Sequence, residues 1–480
     1  QRWSQRANVL TAGQRRLCWV NSLKVRASYG SVGNDLNSSG LYTQTWGSVT
    51  DQRAQYDIGQ KNQSAYDLSN GGILANPDLK WETTVTRDLG TDFTLFGERL
   101  SGTIDVYWNT TKDLLMQTTI PGITGFTSIY KNIGQTSSKG LELSLSGTVF
   151  QNDDWRVTAG GNINFNKSNL DRLDADVSGL YGTGWAGSAS YPTSDYVLLQ
   201  GRPVGLVRGF TYEGVYTPAD FDYNNGMYTL KSGVPDLGSY IGVLHGIGNA
   251  DKPSSQYAYP GLPKFKDISG PNGVPDGKID DNDVAVIGDT NPKHTGGFNL
   301  NVSYKNIDLG AFFNWSYGNK IYNANKLGTL YGPKEQGVYE NKLAIMKNAY
   351  KIYDVVDGQL VRLTTPDQLN AANANATLPL AYNEMGLTST LGIEDGSFLR
   401  LNTLTVGYTF PKSLISKVGI NNLRIYGSIY NAFTITGYSG LDPEVNVNDT
   451  AGGSNYLTPG FDYGAYPRAR SFVIGMNLNF

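Results

Sequence analysis

The chain has 480 residues, with 39 Lys plus Arg against 42 Asp plus Glu and a formal net charge of −3. That near-balance excludes the basic footprint of a nucleic-acid binder. One cysteine, Cys18, excludes an internal disulfide framework or a thiolate metal cluster, and two histidines, His245 and His294, leave little for zinc. No apolar run reaches the roughly 18 residues a spanning helix needs.

Gly (58) and Tyr (31) are abundant and only 17% of residues are charged. This composition suits β-strands joined by turns and long polar loops. Mean hydropathy is slightly negative, which reads as soluble, but a transmembrane β-barrel escapes that measure because only alternate residues face lipid. The chain opens at Gln1 with no signal peptide and is read as a fragment or processed piece. Nothing in the sequence implies a cofactor.

Residues 1–19 form an unassigned N-terminal edge. Arg2, Arg6, Arg15 and Arg16 stand there without an acid or any alternation. From residue 20 onward the pattern has period two. Leu100, Gly102, Ile104, Val106 and Trp108 alternate with Ser101, Thr103, Asp105 and Tyr107. Leu141, Leu143 and Leu145 alternate with Glu142, Ser144 and Ser146. The split recurs at Val157, Ala159 and Ile163, at Phe298, Leu300 and Val302, and at Leu309, Ala311 and Phe313. It ends with Phe472, Ile474, Met476, Leu478 and Phe480.

About twelve strands follow, near 22–32, 84–97, 99–115, 137–150, 155–170, 193–201, 204–216, 294–305, 307–320, 397–411, 421–434 and 468–480. Links alternate in length. Short ones sit at Phe96–Arg99, Gln151–Asp154, Gly201–Val204, Lys305–Asp308 and Pro411–Asn421. Long ones sit near 33–83, 116–136, 171–192, 217–293, 321–396 and 435–467. Outer-membrane barrels pair short periplasmic turns with long extracellular loops. A soluble β-sandwich also alternates, but it seldom carries all its long loops at one end. The pattern favours an all-β, antiparallel transmembrane barrel. Trp108 is then expected to face lipid, and Arg99, Asp105, Tyr107, Arg424, Tyr426 and Tyr430 the lumen.

Several runs carry a family likeness: Asn76-Pro77-Asp78-Leu79-Lys80-Trp81-Glu82, and Leu23-Lys24-Val25-Arg26-Ala27-Ser28-Tyr29-Gly30 with Gly33-Asn34. Phe398-Leu399-Arg400-Leu401 with Gly407-Tyr408, Leu423-Arg424-Ile425-Tyr426, Gly440-Leu441-Asp442-Pro443-Glu444 and the ending Arg470-Ser471-Phe472 to Phe480 continue it. In this order and spacing they resemble the C-terminal part of the SusC/RagA-like TonB-dependent outer-membrane transporters, over about residues 20–480.

The resemblance implies a barrel of about 22 strands, of which this chain would supply roughly half. The plug and the TonB-contacting segment would lie in a missing N-terminal part. It implies active import of oligosaccharides or peptides across the outer membrane of a Gram-negative bacterium, with a SusD-like surface lipoprotein, the TonB complex and membrane lipid as partners. It implies no enzyme activity. The alternatives are a soluble carbohydrate-binding β-protein and a passive porin.

The loops hold the candidate ligand contacts. Tyr181 and Trp185 sit in one long loop, Tyr223 and Tyr228 in a second, Tyr438 and Tyr456 in the last. Aromatic faces beside Asn and Asp suit sugar stacking and hydroxyl hydrogen bonds, and suit a protein partner equally. Between Asp267 and Asp283, the residues Asp276, Gly277, Ile279, Asp280 and Asp283 fall at positions 5, 6, 8, 9 and 12 of an EF-hand loop. Val274 then occupies position 3 without an oxygen to offer, so a structural turn is favoured and no metal ligand is assigned. No catalytic residue is assigned. Residues 340–376, including Glu340 to Ile352, are expected to hold a helix within a loop.

Overall fold

The computed structural model describes residues 19–34, 41–44, 47–48, 68–69, 72–174, 179–185, 190–239, 241, 251–330, 341–380, 386–445, 447 and 457–480. Ten long strands form one sheet: β1 (Val20–Asn34), β2 (Glu82–Leu95), β3 (Leu100–Thr119), β4 (Ser128–Gln151), β5 (Trp155–Leu173), β6 (His294–Tyr304), β7 (Ile307–Tyr317), β8 (Phe398–Thr409), β9 (Asn422–Thr436) and β10 (Ser471–Asn479). Each pairs antiparallel with the next in chain order, and among the described residues no pairing joins β1 to β10.

Two of the short turns are closed by asparagine side chains, one within its own turn and one from the neighbouring strand. The Asn152 side chain accepts from the backbone N–H groups of Asp154 (3.0 Å) and Trp155 (2.7 Å), closing the β4–β5 turn. Asn21 does the same for Gly97 and Glu98 in the β2–β3 turn, at 2.8 and 3.3 Å. Those turns share one end of the sheet with the Lys305-Asn306 link and the residues between β8 and β9. The long excursions leave from the other end.

The register carries one apolar rung across nine strands. Leu23 opposes Phe93, which opposes Gly102, and the line continues through Leu145, Gly161, Phe298, Phe313 and Leu401 to Phe433. A slip of one residue in any strand would break it. Trp108 lies on this face, 44% exposed, as expected for a residue that meets lipid. The opposite face carries the ion pairs. Arg26 donates to Asp92 (2.9 Å) and Asp105 (2.7 Å), and the Arg424 Nε donates to Asp308 (2.9 Å). Gly90 and Gly407 make room for these groups. A Cβ at Gly90 would collide with Asp105 and Arg26, and one at Gly407 with Arg424 and Asp308. Tyr107 and Tyr426 share this inward side: Tyr107 bonds Asn166 at 3.2 Å and the Tyr426 ring carries Arg424 at 4.9 Å. Arg99, expected inward, stands instead in the exposed turn before β3.

Three expectations are corrected. Spans 193–201 and 204–216 do not join the large sheet. They contribute Tyr196–Val197 and Leu206–Gly209 to a separate four-stranded sheet, and Tyr212–Val215 to a two-stranded one. Because the two spans are consecutive, losing both preserves the up-and-down parity. The 116–136 loop shrinks to residues 120–127, since β3 and β4 run to 20 and 24 residues. At about 3.4 Å per residue these strands far exceed the roughly 9–11 residues that cross a membrane, so they rise above it. Third, the helix expected within 340–376 is present but not over Glu340 to Ile352, where the described residues hold only a 3-10 segment, Ala344–Asn348. An α-helix forms later, at Pro366–Ala372, where Thr365 and Gln368 form a capping box with Pro366 at the first position.

Candidate functional site

The described cluster of fully buried apolar side chains lies outside the ten strands. It runs from Trp185 through Tyr196, Phe210, Tyr228, Phe265, Tyr322 and Leu369 to Phe461. The excursions after β5, β7 and β9 therefore fold together into an outer body with its own core. Tyrosines join them, because a buried ring supplies area while its hydroxyl finds a carbonyl. Tyr196 donates to the Pro459 carbonyl at 2.8 Å, and Tyr228 to the Thr364 carbonyl at 2.9 Å. The Tyr438 hydroxyl donates to Asp462.

Buried charge fastens the body to the sheet. Arg400, on β8, is 1% exposed. It pairs with Asp442 (2.5 Å) and Glu444 (2.7 Å), and Arg468 reaches Glu444 at 3.2 Å. Asp195 is also buried. It accepts from the Thr183 N–H (2.9 Å) and hydroxyl (2.6 Å). Burial outweighs those bonds and pushes its carboxyl up to about 6. Desolvation and the neighbouring Asp462 carboxylate raise the Tyr438 phenol far above its ordinary range.

The core claims several of the residues read as ligand contacts. Trp185, Tyr228 and Tyr438 are buried, so their faces are occupied and a sugar cannot stack on them. Tyr181 and Tyr223 are half-buried and pack against the same core. Tyr456 lies outside the described residues. The acidic turn is held by its own backbone. Asp283 accepts from Ile268 (2.8 Å), Ser269 (3.2 Å) and Asp280 (2.9 Å), Asp276 from Lys278 (3.0 Å), and Asp267 from Gly277 (2.7 Å). These carboxylates are bonded to N–H groups, as in any tight turn. Burial and the nearby Asp267 raise the Asp283 carboxyl.

Among the described residues, two hollows border the outer body. One, about 810 Å³, is lined in the outer body by Tyr191, Asp236, Tyr257, Lys278 and Asp281, with the Tyr191 hydroxyl donating to Asp281. Neither tyrosine stands out from the other loop aromatics in the sequence. Their distinguishing feature is proximity to carboxylates far away in the chain, which spacing cannot show. The second, about 600 Å³, lies between the sheet and residues 443–445 and 459–460, with Asn162, Thr295, Asn314, Ser316 and Glu444 in its wall. Amides, hydroxyls and carboxylates of this kind bind hydroxyl and amide groups of a polar ligand.

The family model described as "TonB dependent receptor-like, beta-barrel" matches residues 2–242. The chain belongs to that family. It is 31% identical over 469 residues to TonB-dependent receptor P3 of Formosa agariphila, covering 96% of this chain and 40% of that protein. It is 25% identical over 471 residues to TonB-dependent receptor SusC of Bacteroides thetaiotaomicron, covering 96% and 38%. The chain thus spans about two-fifths of the length of these relatives. The RagAB peptide transporter structure shares the fold, with a TM-score of 0.64, 24% identity, and coverage of 96% of this chain and 41% of that one. As a TonB-dependent receptor barrel, the chain is an integral outer-membrane protein of a Gram-negative bacterium. Its family comprises transporters and receptors, not enzymes. The sheet corresponds to a partial barrel wall, the apolar rung faces lipid and the outer body faces the cell exterior.

Proposed function

We propose that the full-length protein carrying this chain imports oligosaccharides or peptides across the outer membrane. Energy comes through TonB, and a SusD-like lipoprotein caps the outer body. The observation that carries this reading is the outer body itself. Three excursions build a shared core beyond the strands, which favours a surface that binds a ligand or partner over an open pore mouth. Similarity to TonB-dependent receptor SusC and to the RagAB peptide transporter supports an importer of this kind. Tyr181 and Tyr223, with Tyr191 and Tyr257 at the larger hollow, are the aromatic contacts we assign to substrate. The flanking carboxylates of Asp236 and Asp281 favour hydroxyl-bearing or cationic groups over polyanions.

The test is uptake of labelled oligosaccharides and peptides by host cells with and without the gene, and with and without TonB. Uptake that needs both is expected. Uptake that persists without TonB would make the protein a passive channel.

A further inference from the structure

The lipid-facing side carries an unexplained group of cations at its outer edge. Lys139 on β4 and Lys167 on β5 are direct Cα partners, and Trp108 opposes Lys139 on the other side. Both lysines share the outward face with Leu141 and Phe165, one step closer to the cell exterior. Lys293, just before β6, joins them around an apolar groove of about 480 Å³ walled by Trp108, Leu141 and Phe165.

All three lysines are exposed, and none has an ion-pair partner among the described residues. The neighbouring acids are engaged elsewhere. Asp171, higher on β5, is bonded by Ser137 (2.8 Å), Asn169 (2.7 Å) and Gln135 (3.2 Å). Asp395 feels the charge of Lys293 and is bonded by Ser397.

Like charges directly opposed across two strands destabilise a sheet. Among the described residues no carboxylate stands at ion-pair distance from Lys139 or Lys167, so the compensation is sought outside the chain. The position says from where. Phe165 packs at a tilt against His294 (centroids 5.5 Å apart), and His294 stacks on Tyr317 (5.0 Å), an aromatic girdle of the kind that marks the membrane–water boundary. The lysines stand just past it, at headgroup level in the outer leaflet.

We propose that Lys139, Lys167 and Lys293 bind the phosphate of a phosphorylated glycolipid in the outer leaflet, with an acyl chain along the groove beside Trp108, Leu141 and Phe165. Charge complementarity and continuity with the lipid-facing belt select this occupant. A phosphate accepts charge-assisted hydrogen bonds from several ammonium groups at once. Each lysine near an anionic lipid surface contributes about a factor of five, so three together give on the order of 100-fold.

The test uses the full-length protein, purified and placed in phosphatidylcholine nanodiscs. It is titrated with a phosphorylated lipid A-type glycolipid, the same lipid after dephosphorylation, and inorganic phosphate, with bound lipid read by native mass spectrometry. The wild type is expected to prefer the phosphorylated lipid by on the order of 100-fold. The triple variant Lys139→Gln, Lys167→Gln, Lys293→Gln is expected to lose that preference, and Lys305→Gln at the opposite membrane face to keep it. If the triple variant fails to show the heat-modifiable mobility of a folded barrel, Lys167→Gln alone should lose about five-fold. Equal binding of both lipids by the wild type overturns the proposal, as does preference retained in the lysine variants. Displacement by inorganic phosphate alone would mark a free-anion site and overturn it too.

Discussion

The lipid-facing register makes a graded prediction at two positions on one strand. Ile104 and Trp108 share the outward face of β3, four residues apart, and Leu100 marks the strand's periplasmic start. At about 3.4 Å per residue and a tilt near 40°, Ile104 stands roughly 10 Å above Leu100 and Trp108 roughly 21 Å above it. The apolar band is about 25 Å tall. Ile104 is therefore near the midplane and Trp108 near the outer interface. Ile104→Arg should cost about 2–4 kcal/mol, whereas Trp108→Arg should cost about 1 kcal/mol, with a few tenths more for facing Lys139. Urea titration of the full-length protein folding into lipid vesicles, followed by heat-modifiable gel mobility, measures both. Equal costs, or a larger cost at Trp108, would refute the assigned depth and register.

Arg400→Met should cost roughly 3–5 kcal/mol, because it leaves the buried Asp442 carboxylate without its close cation. A double-mutant cycle with Asp442→Asn should recover part of that loss, and a cost below about 1 kcal/mol would refute the fastening role. The Asp195 carboxyl sits at about 6 in the folded protein against an ordinary 3.8, so the folded state holds its proton more tightly. The outer body should lose up to about 3 kcal/mol as pH rises from about 4 through about 6. Amide exchange at Thr183 should quicken across that window, and Asp195→Asn should flatten the response. Tyr196→Phe leaves the Pro459 carbonyl without its donor, at a cost of about 1–3 kcal/mol. Faster proteolysis between residues 437 and 470 would report it. Gly90→Val should displace Arg26 from Asp105 and lower the yield of folded protein, while Gly427→Ala, where a Cβ meets open space, should not.

The membrane-spanning part was legible because its physics is local. Lipid on one side and a polar interior on the other force period-two alternation, and the turn at Asn152 holds its own backbone. The outer body was not legible for the same reason. In the strand Leu206–Gly209 the adjacent Leu206 and Val207 are both buried, so both its faces meet protein, a packing set by distant parts of the chain. Tyrosine misled in the same way. Trp185, Tyr228 and Tyr438 have the composition of a sugar platform, but their partners lie tens to hundreds of residues away and draw them into a core. Tyr228, for example, reaches the carbonyl of Thr364. Arg400 had a motif around it, but only the fold brings Asp442, Glu444 and Arg468 to it.

The topology is tested most directly by labelling intact host cells. In the full-length protein with Cys18→Ser, single cysteines would be placed at Asp222 in the outer body and at Asp153 in the β4–β5 turn. A membrane-impermeant maleimide should label Asp222→Cys on whole cells and reach Asp153→Cys only after the outer membrane is permeabilised. Labelling of Asp153→Cys on intact cells, or protection of Asp222→Cys, would contradict the assignment of outer body and short turns to opposite sides of the membrane.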